Sequence, residues 1–391
     1  MKKTTFNRRN FLYLGATASV GLAASAVSAS PAVPVQEEKK AVISRKLGKT
    51  GIEVPIVSMG VMRADNPTIV KAAYQLGFRH FDTAHGYQDG RNEEMVGQVL
   101  KEMPRKELII ATKIHPGREG LSTEKFTEMI DTSLKRLQMD YVDILYLHAI
   151  SDVEGLNDPR YIAALKAAKE SGKARFIGVS THTNMATVIN AAVDGKFYDI
   201  VLTSYNFMLR EDKELNAALV RANDAGLGVV GMKNMAGGFL DKEKKKPINC
   251  KAALKWALAD GLIHTCIPGI TTFEMLKDNW SVAQNLELDM QEKNDLQLAM
   301  NDSGMFCKGC QSCAGQCPQN LPIPDIMRSY MYNYGYAYPA KAQQTLAELN
   351  VGAEPCSLCP SCSVTCRSGF NIREKVSDIA RITTIPTAFL V

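Results

Sequence analysis

Leu108-Ile109-Ile110-Ala111-Thr112-Lys113 is a short β-rich run that ends in a lysine and continues through Ile114. Seven further runs of this kind occur between about residues 42 and 285: Ile56-Gly60, His80-Thr83, Val142-His148, Ala174-Ser180, Ile200-Tyr205, Gly228-Lys233 and Cys266-Ile270. Stretches with helical periodicity separate them. In Asp212-Ala225, for example, Leu215, Ala218, Leu219 and Ala222 recur at spacings of three and four. Alternating strands and helices build parallel βα units. Eight such units over roughly 240 residues suit a closed (β/α)8 TIM barrel. An open doubly wound sheet fits less well, because no G-x-G-x-x-G turn follows the first run. Ser44 to Pro55 reads as a hairpin turned at Lys49-Thr50-Gly51, placed to plug the bottom of the barrel.

In such a barrel the chemistry sits where strands end and βα loops begin. The second run leads into Phe81-Asp82-Thr83-Ala84-His85-Gly86-Tyr87, the third ends at Lys113, and the fourth ends at His148. Each residue alone has a plain structural reading: a cap, a packed ring, a snorkelling lysine, a satisfied histidine. Together they bring four polar groups to one mouth. A lysine ending an apolar strand needs a charge partner, which Asp82 can supply. A free phenol, with a pKa of about 10, is a poor proton donor near neutrality. The expectation is that Lys113 lowers the pKa of Tyr87, so that Tyr87 protonates a carbonyl oxygen while a neutral His148 orients it.

With that set in place, residues 42-285 resemble the aldo-keto reductases, whose Asp, Tyr, Lys and His tetrad follows this order on these strands. The resemblance implies a nicotinamide cofactor, NAD or NADP, and a small carbonyl or alcohol substrate, with a sugar among the candidates. It assigns Asp82, Tyr87, Lys113 and His148 as catalytic and Ser180 to the carboxamide. Thr181 follows where asparagine is usual. Leu202 and Met232 replace a glutamine and an aromatic residue. Thr271, with Glu274, is expected to form a capping box at a helix start suited to phosphate. Asp278 and Asn279 match the adenine-binding pair, while Gly269 and Met275 replace the lysine and arginine that grip the 2'-phosphate.

Cys307, Cys310, Cys313 and Cys317 follow C-x2-C-x2-C-x3-C with Pro318 next; Cys356, Cys359, Cys362 and Cys366 repeat the spacing with Arg367 next. This is ferredoxin spacing for two [4Fe-4S] clusters, in which three thiolates of one run share a cluster with the fourth of the other. Cys307, Cys310 and Cys313 therefore go with Cys366, and Cys356, Cys359 and Cys362 with Cys317. Structural zinc and four disulfides are weaker alternatives. Cys250 and Cys266 read as ordinary buried thiols.

The organisation expected is thus a signal over 1-29, a flexible linker over 30-41, a barrel over 42-300 and a small ferredoxin-like iron-sulfur domain over 301-391. Arg8-Arg9-Asn10-Phe11-Leu12, ahead of an apolar stretch and Val27-Ser28-Ala29, resembles a twin-arginine signal, which carries folded proteins out of the cytoplasm to a periplasmic or similar place. The formal charge of +5 owes four bases to this region; the remaining 42 bases face 41 acids. Such a balance excludes nucleic acid as an expected partner. No apolar run reaches the roughly 20 residues of a membrane span. Clusters in an oxidoreductase suggest electron relay to an external redox partner. The alternative is an electron-transfer or docking protein built on a catalytically retired barrel.

Overall fold

The computed structural model describes residues 41-117, 120-302 and 304-390. The expected signal, and the linker apart from Ala41, lie outside the described residues.

A hairpin comes first: β1 (Ser44-Lys46) pairs antiparallel with β2 (Glu53-Pro55). Eight parallel strands follow: β3 (Met59-Gly60), β4 (His80-Asp82), β5 (Ile109-Ile114), β6 (Val142-Leu147), β7 (Ala174-Thr181), β8 (Ile200-Ser204), β9 (Gly228-Met232) and β10 (Thr265-Cys266). Bridges Val57 to Cys266 and Gly60 to Gly269 close the sheet into a barrel. The two seam strands are shorter than the sequence suggests. Pro268 has no N-H to extend the ladder, and the seam is carried by single bonds such as Ser58 N to Cys266 O at 2.8 Å.

The outer helices are α1 (Pro67-Leu76), α2 (Arg91-Leu100), α3 (Thr123-Leu137), α4 (Val153-Leu156), α5 (Pro159-Glu170), α6 (Met185-Gly195), α7 (Lys213-Asp224), α8 (Cys250-Leu258), α9 (Phe273-Gln284) and α10 (Met290-Met300). Their boundaries follow local chemistry. In α3 the Ser122 side chain accepts from Lys125 N, Phe126, Ile130, Leu134 and Leu137 form the buried stripe, and left-handed Gln138 ends the helix. Burying each of those side chains contributes about 1.5-3 kcal/mol.

The hairpin does plug the barrel. Leu47, Ile52 and Val54 share one buried cluster with the inward residues Ile109, Ile144, Tyr146, Leu202 and Val230. Gly48, at φ 56°, is pressed so close that a Cβ would fall 2.4 Å from Gly228 N, so the plug requires glycine there.

Beyond α10 the chain forms α11 (Ile323-Tyr334), α12 (Pro339-Glu348) and α13 (Ile372-Ala380) around their own core, which includes Ile326, Met327, Leu346, Val376 and Ile379. From Ala41 on, the chain nonetheless forms one compact unit. Lys242 pairs with Asp378 at 2.7 Å and lies over the Tyr334 ring, and Asn184 N donates to Gly309 O at 3.0 Å. The cysteine-rich segment is therefore seated on the barrel's C-terminal face.

Candidate active site and iron-sulfur cavities

The loop after β4 is held by its neighbour strand. Thr83 N donates to Ala111 O at 2.9 Å, and His85 N donates to Lys113 O at 3.0 Å. Gln88 and Asp89 then adopt left-handed backbone and turn the chain into α2, fixing Tyr87 above the strand ends. Behind the loop, Thr83 Oγ1 donates to Asn92 Oδ1 at 2.6 Å, and Thr112 Oγ1 donates to Glu93 Oε1 at 2.6 Å. Glu93 is buried and paired with Arg136 at 3.3 Å.

This scaffold brings Asp82, Tyr87, Lys113 and His148 together. The Lys113 ammonium, 2% exposed, donates to Asp82 Oδ1 and Thr83 O, and its nitrogen lies 3.5 Å from the Tyr87 hydroxyl oxygen. The Tyr87 and His148 rings meet edge to face at 6.0 Å, and His115 meets His148 in the same way at 5.7 Å. Burial works against both charges of the Asp82-Lys113 pair, raising the carboxyl and lowering the ammonium, while each restores the other.

Tyr87 departs from the sequence expectation. Burial, then Asp82, Tyr332 and Tyr336, push its phenol well above the usual 10 rather than below it. The reason is that the lysine's charge is spent on Asp82, so the phenol experiences the low-dielectric surroundings more than the ammonium. Burial, then Lys113, His115, Lys341 and Arg328, hold His148 well below its usual range, so it is neutral. The mouth therefore presents a protonated phenol beside a neutral imidazole.

The other expected contacts lie around the rim. Ser180 Oγ accepts from Ala149 N at 2.8 Å, which leaves its own hydrogen for a carbonyl oxygen. Thr181 is fully buried and donates to Thr183 O at 2.9 Å, so its hydroxyl faces the local turn rather than the mouth. The capping box is not formed. Thr272, not Thr271, is the N-cap of α9 and accepts from Met275 N, whereas Thr271 Oγ1 donates to Met275 Sδ at 3.4 Å. Asp278 lies 3.7 Å from the Lys251 ammonium. Asn279, 2% exposed, has an Nδ2 without a protein partner.

The cysteines line two separate cavities. Cys307, Cys310, Cys313 and Cys366 line one, and Cys317, Cys356, Cys359 and Cys362 line the other, with Ile372 at the wall of both. Each cavity thus takes three thiols from one run and the fourth from the other, as the spacing predicts. Among the described residues no three His, Cys, Asp or Glu groups converge tightly enough for a single metal ion. The two four-thiol sets fit a larger polynuclear group. Arg373 braces the second run by donating to Pro360 O at 2.9 Å and Cys359 O at 2.8 Å. Cys266 is buried as expected; Cys250 is only half-buried.

Residues 58-252 match the aldo/keto reductase family and residues 306-371 match a 4Fe-4S dicluster domain. L-galactose dehydrogenase of Arabidopsis thaliana is 30% identical over 286 residues, 62% of this chain and 88% of that protein. The chain belongs to the aldo/keto reductase family. A methylglyoxal reductase of Salmonella typhi is 31% identical over 254 residues, 62% of this chain and 91% of its own length. An aldo-keto reductase from Bacillus halodurans, solved in its holo form, shares the fold with a TM-score of 0.55 at 24% identity, covering 66% of this chain and 96% of that one. The protein is an NAD(P)-dependent aldo/keto reductase with a 4Fe-4S dicluster domain.

Sequence reasoning did not single out Glu93, Arg136, His115 or His182. His115 lies two residues beyond Lys113, the strand period that puts residues on one face, so that signal was available. The far-segment residues whose charges or dipoles act on Tyr87 and His148, namely Arg328, Tyr332, Tyr336 and Lys341, carry no local signal.

Proposed function

We propose that this protein reduces a small hydroxylated carbonyl compound at the barrel mouth, Tyr87 supplying the proton. The observation that carries the reading is the phenol kept protonated 3.5 Å from a buried, carboxylate-bound lysine and beside a neutral histidine. The nicotinamide, when bound, supplies hydride. Tyr87 gives its hydrogen to the carbonyl oxygen, His148 donates a hydrogen bond to that oxygen, and Lys113 holds the phenol in place and offsets the negative charge left on it. Asp82 keeps the lysine charged and oriented.

Two features fit the cofactor: the uncommitted Ser180 hydroxyl hydrogen suits a carboxamide oxygen, and the orphaned buried Asn279 amide suits an adenine nitrogen. Asp278 would stand beside Asn279, and the α9 N-terminus after Thr271 would face phosphate. NADP is favoured over NAD only by kinship, because Gly269 and Met275 offer no charge to a 2'-phosphate. Of the relatives' names, L-galactose dehydrogenase supports a small hydroxylated substrate, and methylglyoxal reductase supports a small carbonyl compound.

The reading assigns one [4Fe-4S] group to each four-thiol cavity. Such groups supply one-electron chemistry, so the reading includes exchange with an outside redox partner. It also takes residues 1-29 as a twin-arginine signal for export in folded form. The experiment is to denature the isolated holoprotein and identify released nucleotide, then follow carbonyl reduction and cluster absorbance in a single turnover. Released NAD or NADP with carbonyl reduction is expected; a protein that holds no nucleotide and reduces no aldehyde contradicts the proposal. Clusters that stay oxidised through turnover contradict the relay alone.

A further inference from the structure

Two consecutive polar residues in the first turn of α2, Asn92 and Glu93, are fully buried. Burying such groups costs free energy unless their polar atoms find partners, and here they do. Asn92 Oδ1 accepts from Thr83 Oγ1 at 2.6 Å, and its Nδ2 donates to Val61 O at 2.7 Å. Glu93 Oε1 accepts from Thr112 Oγ1 at 2.6 Å, and its Oε2 accepts from the Arg136 guanidinium at 3.3 Å. Thr112 immediately precedes Lys113, and the Thr83 carbonyl accepts from the Lys113 ammonium. Successive strand residues point to opposite faces, so Thr112 meets Glu93 on the helix side while Lys113 points into the barrel. Arg136, in the last turn of α3, completes the arrangement. The nitrogen that meets Glu93 also donates to His85 O at 3.0 Å, two residues before Tyr87. Three residues after Tyr87, Gly90 lies against the same guanidinium, so that a Cβ there would collide with Arg136 Cζ. His85 Nδ1 is 3.0 Å from Ser133 Oγ, also on α3. Between these anchors Gln88 and Asp89 hold left-handed backbone, a strained conformation that persists only where its surroundings enforce it. One guanidinium therefore grips the loop on both sides of the phenol, and its carboxylate partner reaches the strand that carries the lysine.

We propose that Glu93 and Arg136 are positioning residues for carbonyl reduction: acting from behind the loop, they set the 3.5 Å spacing between the Tyr87 hydroxyl and the Lys113 ammonium. This rests on the reductase reading above. A buried ion pair is a poor source of stability, because apolar side chains of similar volume usually serve the fold as well or better. What the pair supplies is direction. Its hydrogen bonds fix His85 and Thr112 relative to each other, and with them the proton donor and the cation beside it. A misplacement on the order of 1 Å at a reacting centre costs about 10²-fold in rate.

The test follows glyceraldehyde reduction by the holoprotein with NADPH and with NADH, at temperatures well below each variant's melting point. Arg136→Met and Glu93→Gln should each lower kcat by about 10- to 100-fold while KM changes by less than about threefold. Arg136→Lys, which keeps a charged donor, should run at least about threefold faster than Arg136→Met. Added to Tyr87→Phe, Arg136→Met should cost less than about twofold more, because a residue that acts through the phenol then has nothing to position. A loss in the Tyr87→Phe background as large as in the parent, or Arg136→Met turning over at the parent's rate, overturns the proposal. If the parent reduces no aldehyde, the reductase reading falls, and deuterium exchange of the amides from His85 to Gly90 decides the positioning claim. Exchange about tenfold faster in Arg136→Met, with α7 unchanged, sustains it; exchange equal to the parent's overturns it.

Discussion

Lys113→Met exposes how the site is held together. The side chains of Lys113 and Asp82 are each 2% exposed, and Asp82 Oδ2 already lacks a partner. Removing the ammonium leaves a buried carboxylate with no counter-charge. Breaking a buried pair from one side costs about 3-5 kcal/mol. With an unfolding entropy of about 2.1 cal/mol/K per residue over roughly 350 folded residues, each kcal/mol moves the melting temperature by about 1.4 °C, so a fall of about 4-7 °C is expected. Replacing both partners, as in Asp82→Asn with Lys113→Met, removes the stranded charge and should recover more than half of that loss. Carbonyl reduction, in contrast, should fall in the single and the double variant alike by about 10²- to 10⁴-fold, because the phenol loses its positioning group. Thermal melts followed by circular dichroism, read beside kcat/KM, give both quantities. Equal destabilisation of the single and double variants would refute the buried-pair reasoning.

Acid sensitivity should come in part from His80, which is fully buried and held down to about 3 from 6.5, by burial first and then by Lys113. Because the folded state binds its proton less readily, this contribution is complete above pH 6.5 and is lost as pH falls toward 3, by about 1.4 kcal/mol per pH unit. Denaturant midpoints measured between those limits should therefore flatten in His80→Gln, and an unchanged slope would contradict the assignment. Gly178→Val should destabilise by about 1-3 kcal/mol, because even a Cβ there would lie 2.4 Å from the Tyr146 ring, and a melt indistinguishable from the parent would show that the ring yields. Cys366→Ser should weaken the cluster shared with Cys307, Cys310 and Cys313 and spare the one shared by its sequence neighbours. Iron content and electron paramagnetic resonance would show one altered signal of two; loss of the other signal would reverse the pairing.

The barrel was legible because each strand is a compact apolar run and each helix has its own stripe and cap, signals that act over a few residues. The pairing of Lys113 with Asp82 followed from the cost of an unpaired buried ammonium, and the crossed cysteine sets followed from spacing. The direction of the Tyr87 shift was not legible. It depends on burial first, and then on Asp82, Tyr332 and Tyr336, the last two of which only the folded chain brings near. The cap of α9 was misplaced by one residue because Thr271 and Thr272 are adjacent and chemically equivalent; only backbone geometry selects the second. Thr181 was matched to a rim role from its place in the order, whereas its hydroxyl is committed to Thr183 O. In each case the missing information was a long-range contact, a side-chain direction or the local backbone geometry.

The most direct measurement is the pH dependence of carbonyl reduction by the parent protein and by Tyr87→Phe. A phenol held above its ordinary range keeps its proton, so kcat/KM for reduction should stay level from about pH 6 to pH 9, while alcohol oxidation, which needs the phenolate, should climb throughout. Tyr87→Phe should lose about 10²-fold or more in reduction with its cluster absorbance intact. Reduction that declines through neutral pH, or that survives in Tyr87→Phe, would contradict the account.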